Sequence, residues 1–230
     1  MQRVSMYNCY GNVTFLSANL TEEQDPYPSE TRNNGVIADL FFKIFEMDVF
    51  RKNYDYFFLM ESDVVPIRPY WLDNMYEHAE FAMEDFWIKG SLYRGPNTPK
   101  EYCMGIYWGC GDHFNGNSMY RLGDPVFDSF LRFARDTRVD PGKEIGINHD
   151  AQIVRVLRDP AVWRFYQRYA QKFVYTEFVQ HRPPLIIDDL RRTFNNTFIV
   201  HQATNEPEEP QEGEMDEIYL DRANIILKPA

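Results

Sequence analysis

The chain has 230 residues, 44% of them apolar and 26% charged, which is ordinary globular composition with room for a sizeable core. Collagen-like, coiled-coil and wholly disordered classes are thereby excluded. The formal net charge is −11, which disfavours an electrostatic nucleic-acid binder and means that an anionic substrate would call for a local basic patch or a metal ion.

Taken in chain order, Val13-Thr14-Phe15-Leu16 reads as a short strand, and residues 19–34, rich in Asn, Thr, Glu, Pro and Ser, as a loop. A helix follows. Asn33 or Asn34 caps it, and Val36, Ile37, Leu40, Phe41, Ile44 and Phe45 recur at helical spacing. Asp55-Tyr56-Phe57-Phe58-Leu59-Met60 is a nearly continuous apolar run, expected as a central strand of a parallel sheet buried on both faces. It stops at Glu61-Ser62-Asp63. Pro69 suits the first turn of a second helix through Trp71, Leu72 and Met75. Phe86-Trp87-Ile88 is the next strand, and residues 93–112 form a long loop without period. Asn117 to Leu122 reads as a strand. Asp124-Pro125 is a cap followed by proline at the first helical position, opening a helix through Val126, Phe127, Phe130, Leu131 and Ala134. Further helices are expected over 149–157 and 160–171, and strands at Leu185-Ile186-Ile187 and Thr197 to Val200.

Residues 204–217 hold seven acids, two prolines and no base. They read as a solvated acidic linker. Residues 218–230 regain apolar character and are expected to dock back on the domain formed by residues 1–203. The three cysteines, Cys9, Cys103 and Cys110, do not make a disulfide framework. No run of about 18 apolar residues spans a membrane, and Met1-Gln2-Arg3-Val4 opens no signal peptide. Alternating strands and helices imply an α/β layer structure, in which ligands sit beyond the carboxyl ends of the strands.

Glu61-Ser62-Asp63 occupies that position. Residues i and i+2 of an extended segment point the same way, so two carboxylates would converge. Such a pair suits Mg²⁺ or Mn²⁺ with open positions for phosphate; the plain alternative is two solvated turn carboxylates. In His113-Phe114-Asn115-Gly116-Asn117, the glycine permits close backbone approach and two amides both donate and accept, although Asn-Gly is also a common turn. At His149-Asp150 the aspartate is either a helix cap or a carboxylate beside a reacting group. His201 closes an apolar run, where a packed or surface histidine is the commoner outcome. Tyr102, Tyr107 and Trp108 stack on sugar faces or pack their loop on the core. Arg68 and Arg94 are positive groups that could face an anion, or solvated side chains.

Four segments in order, Tyr56-Phe57-Phe58-Leu59-Met60-Glu61-Ser62-Asp63-Val64-Val65-Pro66, His113-Phe114-Asn115-Gly116-Asn117-Ser118-Met119-Tyr120, Asn148-His149-Asp150-Ala151-Gln152 and Phe198-Ile199-Val200-His201-Gln202, resemble the motif order of GT-A-fold glycosyltransferases. The similarity covers about residues 10–202, with 54–72 its most telling part. The resemblance implies a Rossmann-like, mostly parallel central sheet flanked by helices, and transfer of a sugar from a UDP- or GDP-sugar to a glycan or glycoconjugate. It implies Mn²⁺ or Mg²⁺ as cofactor, with Asp63 as direct ligand, Glu61 on the metal or reaching it through water, and His201 completing the site. His113, Asn115, Gly116, Asn117, His149 and Trp108 would contact donor or acceptor. Asp150 would be the general base of an inverting reaction, or lie near the donor sugar in a retaining one. The family's asparate-x-aspartate triplet here begins with Glu61. Only 60 residues precede Glu61, with one clear helix among them, so the first βα unit is expected to be short or missing, since such a unit takes about 30 residues. The compartment is cytoplasmic, or that of a Golgi-type lumenal enzyme.

Two rivals use the same residues differently. One is a non-catalytic carbohydrate-binding remnant of that fold, without a working metal site. The other is a metal-dependent phosphohydrolase built on His113, His149, Asp150 and His201 with a bound water as nucleophile.

Overall fold

The computed structural model describes residues 34–92, 113–137, 148–181 and 186–201, with residues 17 and 19. The expected strand at 13–16, the 93–112 loop with Trp108, the acidic stretch 204–217 and residues 218–230 lie outside the described residues. The described chain is mixed α/β: α1 (Asn34–Glu46), α2 (Asp48–Asn53), β1 (Tyr56–Phe58), β2 (Val64–Pro66), α3 (Trp71–Glu80), β3 (Ile88–Gly90), β4 (Met119–Arg121), α4 (Pro125–Asp136), α5 (His149–Leu157), α6 (Trp163–Tyr169), β5 (Phe173–Tyr175), β6 (Val179–His181), α7 (Ile187–Thr193) and β7 (Ile199–His201).

The strands form two small sheets, β1-β4-β3-β5 and β2-β7-β6. In the first, β1 and β3 both pair antiparallel with β4, and only β3 and β5 pair in parallel. The second has one antiparallel and one parallel pairing. A mostly parallel sheet was the expectation, and the pairing is instead mixed. β4 follows the 113–118 segment, which runs back along the end of β3, so it enters between β1 and β3 against their direction. β1 also departs from its expected central place: among the described residues it is an edge strand, half-buried along its length.

The alternation of β1 still divides the core. Phe57 packs on the cluster formed with α1, α4 and α5, stacking on Tyr120 with ring centroids 5.1 Å apart. Tyr56 and Phe58 face the opposite cluster, beside Phe86, Met119, Phe178 and Ile199, against Trp71 and Met75 of α3. Ile88 and Tyr120 belong to the first cluster, so successive strand residues cover both faces as the strand period requires.

Local signals place several helices. Asp124 Oδ1 accepts from the backbone N–H of Val126 and Phe127, and its Oδ2 from Trp87 Nε1, satisfying donors that a helix start leaves open. α1 buries Ala38, Phe41, Phe42 and Phe45. α3 begins after Pro69, with Tyr70 in the left-handed region at φ 60°. Of the strand expected at Leu185-Ile186-Ile187, Leu185 lies outside the described residues, and Ile186 and Ile187 are instead the cap and first residue of α7, with Asp188 and Asp189 in its first turn. Acids there favour a helix because they face its positive end. Among the described residues no helix is long and apolar enough to cross a membrane.

Candidate functional site

Glu61-Ser62-Asp63 lies in the turn between β1 and β2, closed by Val64 N–H donating to Glu61 O at 3.2 Å. The carboxylates converge through this turn, where an extended segment was expected. β2 then pairs with β7 in the register Val64 to His201. That register carries a buried imidazole to the residue just beyond Asp63. His201 Nε2 lies 3.1 Å from Glu61 Oε2 and 3.1 Å from Asp63 Oδ1. Ligand-type atoms of the three residues all lie within 4.8 Å of one another.

Asn117 and Asn115 sit beneath this triad. They are 0% and 1% exposed and hydrogen-bond to Glu61 and His201. The backbone ladder between β1 and β4 continues as Leu59 N–H to Ser118 O. At the next step a side chain takes over: Glu61 N–H donates to Asn117 Oδ1 at 2.8 Å, and Asn117 Nδ2 donates to Glu61 Oε2 at 2.7 Å. Asn117 N–H in turn donates to Asn115 Oδ1 at 2.8 Å. Both amide nitrogens then face His201 Nδ1, at 3.0 Å from Asn117 and 3.4 Å from Asn115.

The 113–118 segment is tied to the end of β3 through Asn115 N–H to Ser91 O at 2.8 Å and a bridge between Leu92 and Phe114. Its other side meets the start of α5. His113 Nε2 is 3.5 Å from Asp150 Oδ2, while Asp150 Oδ1 accepts from Ala151 N–H. Asp150 therefore sits inside the first turn of α5, two residues beyond the cap position, which Asn148 holds. Gly116 is the contact point between the two halves. A Cβ there would lie 3.1 Å from His149 Cε1, tighter than most side chains tolerate, and in ordinary contact with Asp150 Oδ2 at 3.5 Å.

His149 is a core residue. It is buried, stacked on Phe41 with centroids 3.9 Å apart and planes 12° from parallel, and its Nε2 is 3.2 Å from Tyr120 Oη. Burial lowers its pKa to about 4, because an imidazolium would lose its hydration there. Tyr120 donates to Gly116 O at 2.9 Å. Burial, with the charges of Asp150 and Glu61, raises its hydroxyl well above the ordinary tyrosine value, so it stays a donor. Sequence reading passed over Tyr120; period-two placement on β4 was the only signal available. Arg68 is spent on structure: it donates to the carbonyls of Thr197, Arg191 and Phe194.

The donor set agrees with a hard divalent cation in chemical type: two carboxylates on one point, half exposed at Asp63. An octahedral site with bonds of about 2.1 Å has edges of about 3.0 Å, close to the 3.1 Å spacing from His201 Nε2. The same spacing is an ordinary hydrogen bond, and the position of one hydrogen decides between them. The chain matches no protein-family model, no curated protein and no solved structure.

Proposed function

We propose that the protein is a metal-dependent glycosyltransferase of GT-A-like architecture, transferring a sugar from a UDP- or GDP-sugar to a hydroxyl of a glycan or glycoconjugate. The observation that carries this reading is the convergence of Glu61, Asp63 and His201, residues of segments whose order in the chain resembles that superfamily's. The shared direction of β1, β3 and β5, with β4 against them, suits the same reading.

Mn²⁺ or Mg²⁺, held through Asp63 and Glu61, would neutralise the charge that develops on the leaving diphosphate. That accounts for an acidic protein handling an anionic donor. The chain's own residues do the rest. Asn117 anchors the Glu61 carboxylate, and His201 faces both acids. Asp150, 3.5 Å from His113, is the group for taking the acceptor hydroxyl's proton in an inverting reaction. The phosphohydrolase alternative loses one of its four residues, since His149 is stacked within the core.

Calorimetry with UDP and GDP, with and without Mn²⁺, tests the reading. Nucleotide binding that needs Mn²⁺ and vanishes in Asp63→Ala is the expected result. Unchanged binding in that variant removes the metal role. Glycan binding without nucleotide binding points to the non-catalytic remnant, and phosphate release from simple phosphoesters to the hydrolase.

A further inference from the structure

We infer that His201 serves this site as a hydrogen-bond donor and is not a metal ligand: Asn115 and Asn117 hold its ring with the hydrogen on Nε2, where it bridges Glu61 and Asp63. The part concerning a cation rests on the metal reading above; the tautomer does not.

The argument runs from backbone groups outward, because a peptide N–H is always a donor. Glu61 N–H points at one end of the Asn117 amide, which must be its oxygen. The other end, the NH₂, then meets Glu61 Oε2. Turning this amide over would set NH₂ against N–H and oxygen against carboxylate. Asn117 N–H fixes Asn115 in the same way, through Oδ1. Both NH₂ groups are thereby aimed at His201 Nδ1. The two hydrogens of Asn117 Nδ2 already serve Glu61 Oε2, Asn115 Oδ1 at 3.0 Å and the ring. An amide nitrogen accepts no hydrogen bond, so a hydrogen on Nδ1 would face donors. Nδ1 accepts, and Nε2 carries the hydrogen.

On the other side of the ring, Nε2–H meets two carboxylate oxygens at 3.1 Å each. It offers them a donor and draws two like charges to one point. A ligating imidazole needs its lone pair where this hydrogen sits. His201 and the two asparagines are thus positioning residues, and a cation would rest on the carboxylates and solvent, from the side away from the ring.

The test uses ¹⁵N-histidine-labelled protein. In the ligand-free chain, long-range ¹H–¹⁵N spectra should give His201 Nδ1 at the position of an unprotonated nitrogen and Nε2 at that of a protonated one. Saturation with Mg²⁺ should leave the pattern in place, and pulsed EPR of the Mn²⁺-loaded protein should lack the coupling of a directly bonded nitrogen. Asn115→Ala should leave the hydrogen on Nε2, because Asn117 Nδ2 still faces Nδ1 at 3.0 Å. A protonated Nδ1 in the wild-type, ligand-free chain overturns the inference whether or not a cation binds. So does a directly bonded nitrogen on Mn²⁺. Should neither cation bind while Nε2–H is found, the metal reading fails and the donor role of His201 stands. The wild-type spectra decide the matter even if the variant does not fold.

Discussion

Glu61 and Asn117, 56 residues apart, hold each other from both ends: the Glu61 backbone N–H donates to Asn117 Oδ1, and Asn117 Nδ2 returns a hydrogen bond to the Glu61 carboxylate. A strand ladder is here continued by a side chain. The acidic triplet is thereby joined to the β4 segment rather than left as a free turn.

Asn117→Ala leaves the Glu61 N–H without this acceptor in a part-buried setting. A stability loss of about 1–3 kcal/mol is expected, read as a lower urea midpoint with unchanged slope. A variant as stable as the wild type would mean that solvent replaces the amide.

Asp63 is half exposed, so Asp63→Ala should unfold at nearly the wild-type temperature. Its effect is expected on the cation instead. On the proposed metal reading, Mn²⁺ at a hundred times its Kd should stabilise the wild type by about 2.7 kcal/mol. In thermal unfolding scans that rise should be absent from the variant.

Gly116→Ala drives a methyl group to 3.1 Å from His149 Cε1. The ring has little room to yield, being stacked on Phe41. Overpacking of this kind costs about 1–3 kcal/mol. The loss should appear as a lower urea midpoint, and a variant as stable as the wild type would mean that the ring yields.

His149 is held neutral by burial, with a folded pKa of about 4 against about 6.5 in the unfolded chain. Between those values the unfolded state binds the extra proton. Stability is therefore fully present above about pH 6.5 and declines as pH falls toward 4. This one group contributes a decline on the order of 3 kcal/mol. His149→Phe keeps the stack on Phe41 and removes the proton site. Urea midpoints at pH 7 and pH 5 should differ less in the variant than in the wild type.

Asp124→Ala removes the cap of α4 and the acceptor of Trp87 Nε1 together. Loss of the cap costs about 1 kcal/mol and the buried indole N–H about as much again. Asp124→Asn, which retains an oxygen for the backbone, should recover much of the loss in thermal unfolding.

The sequence by itself determined what depends on neighbours within one helical turn. The Asp124-Pro125 cap, the apolar spacing of α1 and the span of α5 could be read directly, because a cap and a helical face are made by residues no more than four apart. The acidic pair after the β1 run was legible for the same reason. The tertiary structure decided the rest. Whether β1 is central or an edge depends on β4, which comes more than 50 residues later. His201 reaches Glu61 and Asp63 through the β2–β7 register, and Asn115 and Asn117 turn inward onto Glu61 and His201. Those pairings join residues up to 86 positions apart among the asparagine contacts, and strand pairing at such distance is set by the whole core, not by any local pattern.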